Sequence, residues 1–246
     1  MFKIELYNNS IIKSAFKGLS YIVDDLKIKI DHDGLYCDAL DQSHVAFCHL
    51  ELKEWLFDEF ETDEPTSINI DADEFNTIID RCKSRDILKL ESDPNNLIIT
   101  LEGDATRQFK IRLIDTRYET TTPPEVKYDF SCKIPTKILK DTLNDIGVFT
   151  NKLQLKHEDE SDYINISGDG SFGSTNTKYH VDLEQPGTAS SSYSIEKLQE
   201  FMKSEKFSNT IRLKSGENAP LTLEFAYPTN EASLSYLLAP LIENDE

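Results

Sequence analysis

With 246 residues, 38% hydrophobic content, 13 Phe and 10 Tyr, the chain can build one large core or two of ordinary domain size, which argues against a disordered class. The formal charge of −19 repels phosphate polymers, so net charge alone speaks against a general nucleic-acid binder. Cys37, Cys48, Cys82 and Cys132 form no CxxC pair and no regular spacing, which reads as reduced structural thiols instead of a disulfide frame or a zinc site.

The start, "MFKIELYNNS", alternates polar and apolar residues and lacks a basic end followed by an apolar run; the expectation is a soluble intracellular protein without a cleaved signal. Apolar residues at 11, 12, 15, 16, 19, 22 and 23 make one helical stripe, with Ser10 as the expected N-cap. "LKIKID" and "VAFCHLEL" then read as strands, and "DHDG" (31–34) between them as a turn that lacks the remaining ligands of a calcium loop. A second helix is expected within 72–85, followed by strands at "NLIITLEG" and "FKIRLI". Residues 115–128, "DTRYETTTPPEVKY", have two prolines and little apolar periodicity, as an extended linker would. Beyond them come a third helix after Pro135 with Thr136 as expected N-cap, strands "YINIS" and "KYHVDL", a fourth helix within 194–206, and strand "PLTLEFAY". "DPNN", "GDGS" and "SGEN" read as turns.

The chain is written twice. "IIKSAFKGLSYIVDDLKIKI" (11–30) lies over "ILKDTLNDIGVFTNKLQLKH" (138–157) with its apolar positions in register, and 71–92 lies over 194–215 in the same way. The class is therefore α+β: two similar domains, each with two short helices packed on antiparallel sheets. The expected boundaries are 1–116, a connecting linker at 117–128, and 129–246.

The acidity is unevenly distributed. Segment 9–20 sums to +2 through Lys13 and Lys17, while 72–85, 135–147 and 194–206 are each neutral, so the remaining residues carry −21 and the total is −19. On helical wheels Lys13 and Lys17 oppose the first apolar stripe. Thr77 and Arg81 take that place in the second helix, Lys140 with Lys137 in the third, and Glu200 flanked by Lys197 and Lys203 in the fourth. A solvated lysine is the ordinary explanation for any one helix; four helices in equivalent repeat positions suggest a shared face.

"GLYCDALDQSHVAFCHLEL" (34–52), "FKIRLID" (109–115), "PPEVKYDFSCKIP" (123–135) and "YLLAPLIENDE" (236–246) together resemble the DNA sliding clamps of the proliferating cell nuclear antigen family. The short linker and acidic tail favour the archaeal form. The resemblance runs end to end. It implies a ring of three subunits joined head to tail, with helices lining a hole that admits duplex DNA without sequence preference. It implies no enzymatic activity, no cofactor, no metal and no membrane contact. It also implies docking of DNA polymerase, the clamp loader (replication factor C), flap endonuclease and DNA ligase through short motifs. The cellular site would be cytoplasm or nucleoid in an archaeon and nucleus in a eukaryote. DNA-facing residues would be Lys13, Lys17, Lys137, Lys140, Lys197 and Lys203. Arg81, Lys83 and Arg85 supply charge on the second helix, where the family often has lysines, or else Arg81 and Lys83 pair with Asp141 or Asp145 of a neighbouring subunit.

The resemblance also places a partner groove at Leu40, His44, Val45, Phe47, Pro123, Pro124, Val126, Leu238, Ala239 and Pro240. Subunit contact would run along the strand at 107–115, with Phe109 and Ile111, against one near 175–183. Other readings weaken beside it. Asp41, Ser43 and His44 are neighbours in a turn-to-strand segment whose side chains diverge, unlike a hydrolytic triad, and His44, Cys48 and His49 lack zinc-ligand spacing. "GDGSFG" (168–173) matches GxGxxG, but a strand pattern follows it where a dinucleotide site needs a helix. A metal-dependent nuclease, an acidic interaction scaffold and a specialised checkpoint-type clamp subunit are the alternatives.

Overall fold

The computed structural model describes residues 1–115, 125–159, 161–227 and 229–242. Pro123, Pro124 and the acidic end of the chain lie outside the described residues. The elements in order are β1 (Phe2–Leu6), α1 (Ser10–Leu19), β2 (Asp25–Asp31), β3 (Gly34–Leu40), β4 (Ala46–Lys53), β5 (Glu59–Thr62), β6 (Thr66–Asp71), α2 (Ala72–Ile79), β7 (Ile87–Ser92), β8 (Asn96–Glu102) and β9 (Thr106–Arg112). The second half adds β10 (Phe130–Pro135), α3 (Thr136–Gly147), β11 (Lys152–His157), β12 (Tyr163–Gly170), β13 (Gly173–His180), β14 (Asp182–Gln185), β15 (Ala189–Ser194), α4 (Ile195–Phe201), β16 (Thr210–Ser215), β17 (Leu221–Ala226) and β18 (Ala232–Leu238). Contacts divide the chain into two units. The first holds Met1–Gln42, Cys48–Pro123 and Tyr227–Leu234, and the second holds Ser43–Phe47, Pro124–Ala226 and Ser235–Glu246. The short segments 43–47 and 227–234 thus group with the opposite half of the sequence.

In unit 1, one sheet has the order β5-β1-β7-β8-β9, and β4, β3, β2 and β6 lie side by side in another. Period-2 alternation shows directly in β2, where Leu26, Ile28 and Ile30 are buried and Asp25, Lys27, Lys29 and Asp31 are half-exposed. The stripe of α1 buries Ile12, Phe16 and Leu19 completely, each contributing about 1.5–3 kcal/mol. Phe16 meets Phe75 of α2 edge-on with ring centroids 4.8 Å apart, and Asn76 Nδ2 donates to the Phe16 carbonyl at 3.0 Å.

Two helix ends differ from the sequence expectation. The N-cap of α1 is Asn9, not Ser10. The Asn9 side chain is 3% exposed and donates to the Lys83 and Asp86 carbonyls at 2.8 and 2.9 Å, so its hydrogen bonds tie the helix start to the turn after α2. That turn begins early. Asp71 caps α2 by accepting the Glu74 amide at 2.8 Å, but the helix stops at Ile79. The Asp86 carboxylate then accepts the Lys83 amide at 2.9 Å and Arg107 Nη2 at 2.5 Å. Arg81, Lys83 and Arg85 therefore sit in a turn and not on a helix face.

Unit 2 repeats the plan with the orders β14-β10-β16-β17-β18 and β13-β12-β11-β15. Pro135 occupies the N-cap position of α3. Thr136, the expected cap, instead donates its hydroxyl to the Ser208 carbonyl at 2.6 Å, again a tertiary bond in place of a local one. Ser194 caps α4 by accepting the Lys197 amide at 3.4 Å, and a 3-10 turn over Met202–Phe207 follows. The pattern "KYHVDL" breaks at Val181, which is buried and donates its amide to Asp162. β13 pairs with β12, whereas β14 pairs with β10 in the other sheet. The GxGxxG stretch is the β12–β13 hairpin: Gly170 pairs with Gly173 across Ser171 and Phe172. A Cβ on Gly170 would lie 1.9 Å from the Phe149 carbonyl oxygen, so only glycine lets the hairpin close over the end of α3.

Candidate nucleic-acid and partner interfaces

The expected DNA-facing cations are engaged to different degrees. Lys13 turns its ammonium onto the carbonyls of Asp80 and Cys82, just past the end of α2, where the helix leaves unpaired carbonyls and a negative dipole end. Lys17, in the last turn of α1, is exposed and has no ion-pair partner among the described residues. Lys83 reaches Asp104 at 3.5 Å, Lys137 reaches Asp141 at 3.0 Å, Lys140 reaches Glu205 at 2.7 Å and Lys197 reaches Glu200 at 3.2 Å. Arg81 and Lys203 are exposed. Measured over the helices as they fold, α1 carries +2, but α2 holds Asp73 and Glu74 with no cation. The neutrality of 72–85 comes from the turn, which corrects the wheel placement of Arg81. The Lys83 and Lys137 pairs are exposed and worth a few tenths of a kcal/mol each, whereas the Lys140 and Lys197 pairs are half-buried.

His49 Nδ1 lies 2.7 Å from Asp38 Oδ1, and Lys29 Nζ lies 2.9 Å from Asp38 Oδ2. Burial pushes the Asp38 carboxyl up, but the His49 and Lys29 hydrogen bonds outweigh it and hold the group below the usual carboxylate range. Burial raises the Cys37 and Cys132 thiols to about 12, and all four cysteines are buried outside any disulfide. Among the described residues no group of three or more His, Cys, Asp or Glu could hold a metal ion.

Two of the expected groove residues in unit 2 are joined by a backbone contact: the Ala239 amide donates to the Val45 carbonyl at 2.8 Å. His44 precedes it at φ 59, a left-handed position that turns the chain into β4 and leaves its ring exposed. Val45 is 39% exposed, and Val126, Ala239 and Pro240 are half-exposed. Phe47 and Leu238, at 4% and 1%, belong to the core of unit 2; they can support the apolar surface but offer little area of their own. Leu40, in unit 1, is half-exposed.

Among the strands that end their sheets are β9 in unit 1 and β13 in unit 2. Phe109 pairs across from Ile99 and is half-exposed, whereas Ile111, at 3%, packs into the interior of unit 1. Beyond β13, Phe172 is 71% exposed and tilts onto Phe149 with centroids 5.3 Å apart, and Val148 is 62% exposed.

The chain is similar along its whole length to proteins with an established name. The model for the N-terminal domain of proliferating cell nuclear antigen matches residues 1–120. The DNA polymerase sliding clamp of Methanobrevibacter smithii is 45% identical over all of both chains, and that of Methanothermobacter thermautotrophicus is 42% identical, also over all of both. The chain belongs to the DNA polymerase sliding clamp family. A crystal structure of PCNA from Thermococcus kodakaraensis shares the fold with a TM-score of 0.91 at 20% identity, covering 98% of this chain and 100% of that one. In a PCNA2–PCNA3 complex from Sulfolobus tokodaii the TM-score is 0.89 at 22% identity, with the same coverages.

For a sliding clamp, two surface residues stand out that the sequence pattern passed over. Leu241 is 41% and Ile242 86% exposed, directly after Pro240. The run "LLAPLI" is apolar throughout, and the signal lay in its continuing past the last strand, where a core no longer requires it. The Leu241 amide donates to the Ser192 carbonyl at 2.8 Å, which fixes this extension on unit 2.

Proposed function

We propose that the chain is a non-enzymatic sliding clamp. Three copies close head to tail into a ring around duplex DNA, and the ring tethers DNA polymerase. The observation that carries this reading is the full-length match to DNA polymerase sliding clamps at 45% and 42% identity. β9 in unit 1 and β13 in unit 2 each end a sheet, which supports a head-to-tail joint, because two such edges can pair between copies.

In this reading Phe109 and the backbone of β9 meet β13 of the next copy. Arg81 and Lys83 face Asp141 and Asp145 there, and Ile111 stiffens the strand from inside. Lys17, Lys137, Lys140, Lys197 and Lys203 face the DNA. Their attraction to phosphates is independent of base sequence and weak enough for sliding. Retention comes from topology: a closed ring leaves the duplex only at an end or by opening, so a tethered enzyme remains at high local concentration without gripping DNA itself. The exposed surface of Val45, Val126, Ala239, Pro240, Leu241 and Ile242, with His44 as a polar edge, receives short helical motifs with aromatic anchors. Polymerase, clamp loader, flap endonuclease and ligase would dock this way. The clamp acts inside the cell, in the cytoplasm or nucleoid of an archaeon; no described helix is long and apolar enough to cross a membrane.

The test combines mass in solution with DNA retention. The expected result is three chains per particle, retention on nicked circular DNA after loading, release from linear DNA of the same length, and stimulation of the cognate polymerase. A chain that stays monomeric at micromolar concentration and never stimulates synthesis overturns the proposal.

A further inference from the structure

The five-stranded sheet of unit 1 has a second end. β5 pairs with β1 from Phe2↔Thr62 to Glu5↔Glu59 and has no strand on its other side among the described residues. Its outward N–H and C=O groups are therefore available to another extended chain. Just before it, a 3-10 turn over Glu54–Leu56 presents Trp55, the single tryptophan, at 60% exposure. A large aromatic left open on a charged surface is characteristic of recognition surfaces. A cleft of about 420 Å³ lies along the same strand, lined by His32, Glu54, Phe60, Glu61, Thr62 and Asp63.

The charge of this edge selects its occupant. Residues 54–64 include six carboxylates and no lysine or arginine. Three are already used: Glu59 by Lys3 at 2.6 Å, Asp58 by the Tyr7 amide at 2.8 Å, and Asp63 by the Met1 ammonium at 3.4 Å. Glu54, Glu61 and Glu64 have no cationic partner among the described residues. A polyanion is repelled here, and the carboxylates do not converge on one point as a metal ion would need. They suit cations spaced along an extended backbone.

We propose that β5 and Trp55 form a docking edge for an extended lysine- or arginine-rich segment of a partner protein, added to the sheet as a further strand. Alternate side chains of such a strand face the same side, so basic residues two apart meet the carboxylates in turn. The indole ring supplies an apolar anchor and a face for a cation. The surface lies wholly within unit 1 and is separate from the ring edges, so its test stands whether or not the chain trimerises.

Trp55 is its own reporter. Titrating the full chain with a peptide of alternating lysine and threonine should change tryptophan emission saturably. It should also slow amide exchange over Glu59–Thr62. The same peptide with a central proline, which cannot complete a ladder, should lose both effects, and a glutamate–threonine peptide should show neither. The double variant Glu61→Lys/Glu64→Lys should weaken the midpoint about tenfold, as loss of complementary rim charge would; if it misfolds by circular dichroism, Glu61→Gln/Glu64→Gln takes its place with a smaller shift. Equal binding by the charge variants, equal binding of the proline peptide, or exchange protection outside β5 overturns the proposal. So does protection of β5 without peptide that tracks self-association, since a second copy would then be its occupant.

Discussion

Glu184 shows how much one surface carboxylate can contribute when its partners are well placed. Arg212 donates to it through Nε and Nη2, and Lys133 lies 2.9 Å away. The Arg212 hydrogen bond, against the opposing effect of burial, pulls the carboxyl down to about 2 from 4.5. Because the folded value is the lower one, the stabilisation is complete above about 4.5 and is lost as pH falls toward about 2. Glu184→Gln is expected to lower the unfolding free energy at neutral pH by on the order of 1–2 kcal/mol, after allowance for solvent screening. It should also flatten the acid limb, as denaturant melts across that pH range would record. In the proposed ring Lys17 is the DNA-facing cation that has no ion-pair partner among the described residues. Lys17→Glu should shorten residence on linear duplex a few-fold and change the salt slope by about 1; Lys13→Glu should instead destabilise unit 1, since Lys13 serves the end of α2. The sequence could place both lysines on the exposed side of a helix. It could not show that one of them bends onto carbonyls 67 and 69 residues away, because periodicity describes a single element and not its neighbours.

At the scale of elements, the regular patterns were legible. Ile11, Ile12, Phe16 and Leu19 form the expected stripe, and Leu26, Ile28 and Ile30 the expected strand face. What escaped were the places where a tertiary bond overrides a local rule. Asn9 took the cap from Ser10, and Thr136 bonded to Ser208. Alternation ran on through Val181 although the chain there leaves one sheet for another. The groove shows the same limit, since nothing local distinguishes Phe47 and Leu238, which are core, from Val45 and Ile242, which are surface. The hairpin over α3 gives a test at this scale. Gly170→Ala has no room beside the Phe149 carbonyl and should cost about 1–3 kcal/mol, read as a lower denaturant midpoint with the slope unchanged. On β9, Phe109→Ala combined with Arg81→Glu should leave the melting of the chain nearly intact while shifting its mass at micromolar concentration toward the monomer.

For the whole molecule, charge and topology pull in separable directions. In the proposed ring, three chains of −19 each would make a strongly acidic assembly, so its attraction to DNA would rest on a few lysines against a repulsive background. Added salt should therefore strip the clamp quickly from linear duplex. On a covalently closed circle, where release requires opening a joint between copies, the same salt step should leave loaded clamps in place. Equal loss from both substrates would show that contact and not enclosure holds the DNA. The duplication supported this scale of reasoning from the start: equivalent positions 127 and 123 residues apart became α1 with α3 and α2 with α4.

The unlike edges β9 and β13 carry a consequence for mixtures if they join copies as proposed. A copy whose β9 is blocked would still offer a sound β13, so it could accept a normal neighbour but not continue the circle. Such a copy would act as a chain terminator, and a small excess would poison assembly out of proportion to its abundance by stranding intact copies in open, linear oligomers.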